Sequence, residues 1–378
     1  MGTDRERDGE FLTVGVVGSG AISGIYLTNM IRRFPNLRVK CVASAHLAHA
    51  QKKAAEFGIA ACTVEELLSD PEIDLVVNLT PVEAHEEIIR RALEAGKHVY
   101  TEKVITADPE SAERLQALAA EKHRMLCSAP DTFLGSAIQT ARRAVADGRI
   151  GTVTGVSAAA NRDNNVLMSL FHFLREPGGG TALDYGPYYL TAMVSILGPV
   201  REVSGFARCP YPTRKNVLPD SPEFGQTFSA PVESEIAASL LFDSGAVGTF
   251  LLDSESMRRD QAYFQIYGTK GILRLPDPNQ FGGTVTLIPN PSPDAPQRAS
   301  DEAPVPLDPV NPYSDNCRGI GPGEMADAIL HGRKSRTDAS MAIHVLEVLT
   351  GILESSRTRT FRKMTTSFVL PEAFPEEA

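Results

Sequence analysis

The sequence has no tryptophan, no excess of positive charge and no long apolar run. The formal net charge of its 378 residues is −10, which disfavours a nucleic acid as partner because phosphate binding needs a basic surface. A membrane-spanning helix needs roughly 20 predominantly apolar residues in a row, and no such stretch occurs. Residues 1–10 are charged and lack the apolar segment of a signal peptide, so we expect a cytoplasmic protein.

Cysteine is also sparse. The five cysteines are odd in number, and no two of them form a C-x-x-C pair. The sequence therefore predicts neither a disulfide framework nor a metal site, and it favours reduced thiols in the core and at the surface. The cysteines are Cys41, Cys62, Cys127, Cys209 and Cys317.

The first third of the chain alternates between short apolar runs and amphipathic segments. The predicted strands are residues 11–17, 37–43, 73–79, 98–101 and 125–128, and the predicted helices are residues 22–34, 48–57, 83–94 and 109–122. Such alternation is typical of parallel βαβ units. We therefore predict an α/β domain with a doubly wound parallel sheet over residues 11–133.

The rest of the chain reads mainly as strands without intervening helices. The predicted strands are residues 154–161, 200–208, 234–242, 246–254, 262–267 and 271–275, with helices at 136–147, 188–197, 323–331 and 340–354. Residues 289–312 are rich in Pro, Ser and Asp and predict an extended loop. We expect a second, α+β domain over residues 134–378, with a large, mostly antiparallel open sheet that is covered on one face.

A glycine-rich turn follows the first predicted strand. Gly18 and Gly20, with Ser23 where the third small residue belongs, approximate the G-x-G-x-x-G fingerprint of dinucleotide-binding proteins. The first glycine permits the turn, and the second lets a pyrophosphate approach the backbone. The amides at Ala21 and Ile22 open the next helix and face the negative charge. The turn therefore predicts NAD or NADP as the cofactor.

The end of the second predicted strand lacks the acidic residue that commonly binds the ribose of NAD. Ser44 and His46 stand there instead, followed by Lys52 and Lys53. These side chains tolerate a 2′-phosphate, so the sequence favours NADP. The alternative is an NAD site that has lost one favourable hydrogen bond.

Glu102 and Lys103 directly follow the predicted strand at 98–101. Ligands of doubly wound sheets gather at the carboxyl ends of the strands, so the Lys103 ammonium group should project over the nicotinamide edge of the crevice. A lysine in that position can exchange the hydroxyl proton that accompanies hydride transfer. The alternative for this dipeptide is a solvated ion pair.

A second polar group follows the three glycines at 178–180. Asp184 and Tyr188 are four residues apart, a spacing that places both on one face of a helix. Asp184 could orient a sugar hydroxyl and Tyr188 could relay a proton, while His172 is a third catalytic candidate. The alternatives are a helix N-cap for Asp184 and simple packing for Tyr188 and His172.

Together these motifs resemble the Gfo/Idh/MocA oxidoreductase family over nearly the whole chain, with features of its glucose–fructose oxidoreductase branch. The resemblance is carried by residues 18–23, 78–81, 85, 95–99, 102–103, 129–133 and 178–188. It implies a Rossmann domain followed by an α/β domain whose open sheet commonly forms an oligomer interface. It also implies Lys103 as general acid/base, supported by Asp184. The predicted cofactor contacts are Gly18, Gly20, Ala21, Ile22, Ser44, His46, Thr80, Pro81, His85, Glu102 and Lys103.

Three positions depart from the family pattern. Val104 replaces the usual proline after Lys103, and Tyr188 stands where a histidine is frequent. Tyrosine at that position, and serine at the position of Ser44, also occur in the NADP-using glucose–fructose oxidoreductase branch. Residues 161–165 match no pattern, and in this fold they should lie near the pocket and influence substrate specificity.

The leading hypothesis is an enzyme that transfers hydride between nicotinamide and a hydroxyl or ketone carbon of a sugar, glycoside or polyol. Two alternatives remain open: a non-catalytic NAD(P)-binding sensor or scaffold, and a reductase of non-sugar carbonyls or imines. The expected partners are a small carbohydrate-like substrate and further copies of the chain, which would associate through the second sheet.

Overall fold

The computed structural model describes residues 11–176, 179–256, 262–291 and 303–374, which form two compact units. The first unit contains residues 11–106, 110–131 and 317–339. The second contains residues 107–109 and the described parts of 132–316 and 340–374. Within these residues, none of the helices combines the length and the apolar character needed to cross a membrane.

Both units combine strands with helices. In chain order, the strands are β1 Leu12–Val17, β2 Leu37–Ala43, β3 Ala60–Cys62, β4 Leu75–Asn78, β5 His98–Thr101, β6 Leu126–Ser128, β7 Val153–Asn161, β8 Val200–Arg208, β9 Thr213–Lys215, β10 Thr227–Ser229, β11 Glu235–Phe242, β12 Val247–Asp253, β13 Tyr263–Gly268, β14 Gly271–Leu275, β15 Thr286–Pro289, β16 Val305–Pro306 and β17 Arg362–Lys363. The helices are α1 Ser23–Arg33, α2 Leu47–Phe57, α3 Val64–Ser69, α4 His85–Glu94, α5 Pro109–Glu121, α6 Ser136–Ala146, α7 Asn164–Leu170, α8 Gly180–Leu197, α9 Ile320–Leu330 and α10 Ala339–Thr358.

The first unit is built on six parallel strands in the order β3-β2-β1-β4-β5-β6. Every residue of β1 and β4 is buried, as expected for a parallel sheet that helices cover on both faces. The strand order reverses between β1 and β4, and ligands of such sheets bind outside the carboxyl ends at this point. The predicted doubly wound parallel sheet is confirmed.

Two short elements of this unit, β3 and α3, were not predicted. β3 has three residues, which is too few to show an alternating pattern. α3 has six residues and begins with a capping box, in which Thr63 and Glu66 each accept the backbone N–H of the other with a side-chain oxygen. That local signal marks where a helix begins, but the helix is too short to show the helical period.

A late segment of the chain, residues 317–339 with α9, belongs to the first unit. One carboxylate oxygen of Asp131 accepts the N–H groups of Gly319 at 3.0 Å and Gly321 at 3.1 Å. Burial raises the pKa of the Asp131 carboxyl to about 6. A Cβ at Gly321 would overlap the ring of Tyr100, so this close approach requires glycine. The sequence pattern assigns residues 317–339 to the second predicted domain, 134–378. In the structure these residues belong to the first unit.

The second unit contains a nine-stranded sheet in the order β16-β15-β14-β13-β7-β12-β11-β8-β17. β7 and β12 run parallel, whereas the other neighbouring pairs are antiparallel. Burial alternates along β11 and β12, so one face of the sheet is covered and the other is exposed. The predicted large, mostly antiparallel open sheet is confirmed.

Helix α8 begins at Gly180, although the sequence pattern predicted a helix only from residue 188. Pro187 lies inside α8, and proline usually ends or kinks a helix because it lacks an N–H group. Gly178 and residues 292–302 of the predicted loop lie outside the described residues. On either side of the latter gap, β15 and β16 pair with each other.

Candidate active site

The glycine-rich turn joins β1 to α1. Gly18 has a φ of +111°, and its N–H donates to the carbonyl oxygen of Ala43 at 2.8 Å. The hydroxyl and N–H of Ser23 both donate to the carbonyl oxygen of Gly20, at 2.7 Å and 3.1 Å. Among the described residues, no side chain caps α1, and its first turn contains no acidic residue. The first N–H groups of α1 are therefore not occupied by side-chain caps, as anion binding at a helix N-terminus requires.

The two glycines of the turn differ in the space around them. A Cβ at Gly18 would lie 2.6 Å from the backbone carbonyl carbon and oxygen of Leu79, so β1 and the chain after β4 approach too closely for any side chain. At Gly20, a Cβ would have no atom of the described chain within 4 Å beyond its immediate neighbours. Gly20 and Ala21 are exposed, and Ile22 is half-buried. The turn is thus tightly packed at Gly18 and open at Gly20, and the open side fits the pyrophosphate of a dinucleotide.

The segment after β2 carries nitrogen-containing side chains. From Ser44 to Lys53 the sequence has no acidic residue. His46 is exposed, and its ring centroid is 5.4 Å from that of His49. The Lys53 amine is 2.9 Å from a carboxylate oxygen of Glu56, and a Cβ at Gly24 in α1 would lie 3.9 Å from it. The Lys53 amine of α2 therefore lies beside the start of α1, where a positive charge suits an anionic group.

The end of β4 is connected to the residue after Lys103. The Thr80 hydroxyl donates to the side chain of Asn78 at 2.7 Å, whereas Pro81 is exposed. His85 is buried, with Nε2 at 2.9 Å from the carbonyl oxygen of Thr80 and Nδ1 at 2.7 Å from that of Val104. Burial lowers the pKa of His85, and a neutral imidazole donates to only one of these carbonyls. The two ring nitrogens of His85 thus face carbonyl oxygens of two loops at the carboxyl edge of the sheet, and one of these contacts is a hydrogen bond.

Glu102 and Lys103 follow β5, where the backbone is held by side-chain hydrogen bonds. One carboxylate oxygen of Glu102 accepts the hydroxyl of Tyr26 at 2.8 Å, and the other accepts the backbone N–H of Lys103 at 2.9 Å. Tyr26 is fully buried in α1, and burial raises its pKa above the usual value. The peptide bond between Lys103 and Val104 is cis. The position of Lys103 therefore depends on Tyr26, which the sequence did not single out because its only signal is a place on the buried face of α1.

Asp184 and Tyr188 both lie in α8 on one helical face, and both are half-buried. The N-cap of α8 is Gly179, so Asp184 is inside the helix and the N-cap interpretation is wrong. The Tyr188 ring lies 5.9 Å from the ring of Tyr185, which is buried. The two candidate side chains are thus held by a regular helix and keep part of their surface accessible.

His172 lies in a short 3₁₀ turn, His172–Arg175. Its side chain is 64% exposed, and its Nε2 is 3.7 Å from a carboxylate oxygen of Glu223. The neighbouring Phe171 and Phe173 are also exposed, so the histidine is not packed in a core. A catalytic role for His172 stays a prediction that these contacts do not support.

The unassigned residues 161–165 contact the start of α8. The Asn164 side chain accepts the hydroxyl of Thr181 at 2.7 Å. The guanidinium carbon of Arg162 lies 4.0 Å from the ring centroid of Tyr185. The Tyr185 hydroxyl in turn donates to a carboxylate oxygen of Asp277 at 2.6 Å. Sequence reasoning missed Tyr185 and Asp277, which carry no local motif.

Two family models match the chain in sequence. The oxidoreductase family model with an NAD-binding Rossmann fold matches residues 12–129, and the GFO/IDH/MocA C-terminal domain model matches residues 138–274.

Characterised relatives cover most of the chain. A dTDP-3,4-didehydro-2,6-dideoxy-alpha-D-glucose 3-reductase from Streptomyces violaceoruber is 30% identical over 276 residues, which cover 71% of this chain and 78% of the relative. A 1,5-anhydro-D-fructose reductase from Ensifer adhaerens is 26% identical over 79% of this chain and 84% of its own length.

Solved structures show the same fold. An NAD-binding oxidoreductase from Klebsiella pneumoniae superposes with a TM-score of 0.81 over 95% of this chain and 100% of its own, at 20% identity. A levoglucosan dehydrogenase in complex with NADH superposes with a TM-score of 0.79 over 94% and 99%, also at 20% identity. With both domains matched by family models and a relative at 30% identity, the chain belongs to the Gfo/Idh/MocA family of NAD-binding oxidoreductases.

Proposed function

We propose that the protein oxidises or reduces a sugar, glycoside or polyol at a hydroxyl-bearing carbon. A bound NAD or NADP supplies or accepts the hydride. The observation that carries the proposal is the position of Lys103 directly after β5. β1, which leads into the glycine turn, and β5 both pair in parallel with β4, so the turn and Lys103 lie at the same edge of one sheet.

Lys103 is the proposed general acid/base. When the alcohol is oxidised, the carbon loses a hydride and the hydroxyl oxygen loses a proton, which Nζ of a neutral Lys103 accepts. In the reverse direction, the charged lysine returns the proton to the forming alkoxide. Glu102 and Tyr26 support this role because they fix the backbone from which the lysine side chain extends.

Asp184 and Tyr188 are proposed to bind the substrate. An ionised carboxylate accepts hydrogen bonds from sugar hydroxyls, and a phenol both donates and accepts them. Their common helical face lets one sugar ring contact both groups. The hydroxyl group of Tyr188 can also pass a proton.

The substrate class is inferred from named relatives that cover more than two thirds of the chain. The two reductases described above are named for sugar substrates, one nucleotide-linked and one free. A levoglucosan dehydrogenase shares the fold. These names support a carbohydrate rather than an unrelated carbonyl compound as the substrate.

NADP is proposed as the preferred cofactor. Ser44 and His46 offer a hydroxyl and an imidazole at the end of β2, and the Lys53 amine, which also pairs with Glu56, lies close to the start of α1. A carboxylate at this position would repel a 2′-phosphate, and none is present between residues 44 and 53. Calorimetric titration with NAD and NADP tests this preference directly.

The proposed reaction is tested by incubating the purified protein with each cofactor and a panel of sugars, glycosides and inositols. Substrate masses are then followed by chromatography and mass spectrometry, which also detect isomerisation or elimination if the cofactor is recycled. The loss of two hydrogens from a panel member, or gain of two by its ketone, is the expected result. Cofactor binding without any conversion would favour a sensor or a non-sugar substrate.

Self-association through the second sheet stays a prediction. Phe206, Leu251 and Tyr263 occupy one row of the sheet by register and are 64%, 45% and 44% exposed. Isolated apolar side chains at a surface are ordinary, but a row of large ones on an open sheet face is typical of an interface. Light scattering of the purified protein checks whether it is an oligomer.

A further inference from the structure

Arg162 is held next to the candidate active-site helix by its own backbone. It follows the last residue of β7, and its N–H donates to the carbonyl oxygen of Asp253 at 3.0 Å. This bond continues the ladder between β7 and β12 by one residue. The side chain then reaches the buried ring of Tyr185 in α8, where its guanidinium carbon lies 4.0 Å from the ring centroid.

The charge of Arg162 has no anionic partner within the part of the chain that the structure describes. Its Nε is buried without a hydrogen-bond partner, and no ion pair engages its guanidinium group. Two other arginines of the second unit also contain a buried nitrogen without a partner, but each is engaged elsewhere. Arg214 pairs with the carboxylate of Glu255, and Arg175 donates to the carbonyl oxygen of Met168 at 2.7 Å. Arg162 thus differs from the structural arginines around it.

Asp277, the acid that accepts the Tyr185 hydroxyl, is committed to other groups. Asp277 accepts the Tyr185 hydroxyl at one carboxylate oxygen, and it accepts the backbone N–H of Asn279 at the other, at 3.0 Å. Tyr185 is therefore a fixed platform, tied at its hydroxyl and packed against the rings of Tyr188 and Tyr189. A guanidinium group on such a platform is oriented in advance, and its two Nη groups, rather than the buried Nε, are the donors for a ligand.

We propose that Arg162 binds a negatively charged oxygen group of the substrate, a carboxylate or a phosphate, so that the substrate is an acidic sugar derivative. This inference rests on the proposed function, because it assigns a specificity residue to the same site. The fork of the guanidinium group matches the paired oxygens of such groups. Tyr185 contacts both Arg162 and Tyr188, so a sugar whose acidic end lies on Arg162 has its ring beside the helix that carries Tyr188 and Asp184.

The test compares sugars that share a ring and differ in charge. D-glucose, D-glucuronate and D-glucose 6-phosphate form one set, and the corresponding galactose derivatives form another. The wild type is compared with Arg162→Gln, which removes the charge, and with Arg162→Lys, which keeps the charge but loses the fork. Arg201→Gln is the matched control, because Arg201 is an exposed arginine of β8 in the same unit. Ionic strength is held constant, since salt screens such contacts.

We expect the wild type to prefer the charged member of a set, the uronate if the group is a carboxylate and the phosphate ester if it is a phosphate. Arg162→Gln should raise KM for that member about 10- to 100-fold, as expected for the loss of a charged hydrogen-bonded pair, with little change in kcat. Neutral sugars should be unaffected, and Arg201→Gln should behave as the wild type. An equal loss for charged and neutral sugars, or a wild type without preference for charge, would overturn the assignment.

A binding measurement separates this inference from the proposed reaction. Lys103→Met with its cofactor bound is titrated with glucuronate, glucose 6-phosphate and glucose by calorimetry. Selective binding of a charged sugar that Arg162→Gln abolishes supports the anion site even if no panel member is turned over. Turnover of neutral sugars together with equal, Arg162-independent binding of all three ligands would leave the proposed reaction standing and reject the anion site.

Discussion

In the first unit the candidate groups stand where parallel strands end, whereas in the second they project from a helix and from the residue after β7. The turn at Gly18 and the backbone at Lys103 are held by main-chain hydrogen bonds and by one buried tyrosine. Arg162 and Tyr188, by contrast, both pack against the ring of Tyr185. We propose a matching division of work, in which residues of the first unit transfer the proton and residues of the second select the substrate.

The largest expected effect comes from Lys103→Met, which removes the proton-exchanging group and keeps a side chain of similar length. We expect kcat to fall by about 10²- to 10⁴-fold, the usual contribution of general acid/base catalysis. Dinucleotide affinity should change little, because the phosphates are bound at the turn. Steady-state kinetics and calorimetry measure both quantities. Lys122→Met, at an exposed lysine of the same unit, is the control, and substantial residual activity of the Lys103 variant would reject the assignment.

Substitutions at the two glycines of the turn separate stability from cofactor binding in the first unit. In Gly18→Ala, the new methyl group would meet the backbone at Leu79 at 2.6 Å and φ would stay at +111°, so we expect a loss of about 2–4 kcal/mol of unfolding free energy. Gly20→Ala should leave stability within about 0.5 kcal/mol, since its Cβ meets no atom beyond its neighbours. It should nevertheless weaken dinucleotide binding. Urea unfolding and calorimetry separate the two effects, and equal destabilisation by both substitutions would contradict this account.

Local patterns explain what the sequence could predict. β2, β5, β8 and β14 match their predicted bounds because apolar runs between turn residues identify strands. The glycine turn was placed correctly between β1 and α1 for the same reason.

The sequence could not predict features that depend on contacts between residues far apart in the chain. Tyr26 and Glu102 are 76 residues apart, and Tyr185 and Asp277 are 92 apart. Each pair depends on the packing of whole elements, which leaves no periodic trace in the sequence. The return of residues 317–339 to the first unit has the same origin, because Asp131 meets Gly319 only in the folded chain. The scaffold and the motif residues were therefore more predictable than the buried side chains that support those residues.

Both units contain a histidine that accepts a backbone N–H group, His98 being half-buried and His344 fully buried, and this predicts sensitivity to acid. His98 accepts from Met125 at 3.0 Å in the first unit, and His344 accepts from Val200 at 2.9 Å in the second. Burial and the nearby Arg124 lower the pKa of His98 to about 4, and burial also lowers the pKa of His344. A histidine with a lowered pKa stabilises the fold while it is neutral. Its contribution is thus complete above the unfolded pKa of about 6.5 and is lost as the pH falls towards 4.

For His98 the loss should reach about 3 kcal/mol at pH 4, since one pKa unit corresponds to about 1.4 kcal/mol. His98→Asn, whose side-chain oxygen can still accept the N–H of Met125, should flatten the fall of the unfolding free energy between pH 6.5 and 4. Asp131→Asn serves as a control, because the contribution of Asp131 to the unfolding free energy should change with pH in the opposite direction to that of His98. The raised pKa of Asp131 stabilises the protonated form, so its contribution is complete at low pH and is lost as the pH rises through about 6. Parallel curves for His98→Asn and the wild type would contradict the assignment.

The smallest expected effects come from a matched pair of substitutions that compares the units directly. Tyr26 donates to Glu102 at 2.8 Å in the first unit, and Tyr185 donates to Asp277 at 2.6 Å in the second. Replacing either tyrosine with phenylalanine keeps the ring and removes one hydrogen bond to a carboxylate. We expect a loss of about 1–3 kcal/mol of unfolding free energy for each substitution, since both tyrosines are buried and each acceptor carboxylate is half-buried.

The kinetic consequences of this pair decide whether the division of work is real. Tyr26→Phe frees one oxygen of the carboxylate that holds the Lys103 N–H, so it should lower kcat for charged and neutral sugars alike. Tyr185→Phe loosens the ring under Arg162, so it should raise KM for acidic sugars by a few-fold and leave kcat unchanged. If both variants lost only stability and kept wild-type kcat and KM, the two tyrosines would be parts of the scaffold alone. A split between kcat and KM, by contrast, requires that the first unit governs proton transfer and the second governs substrate choice.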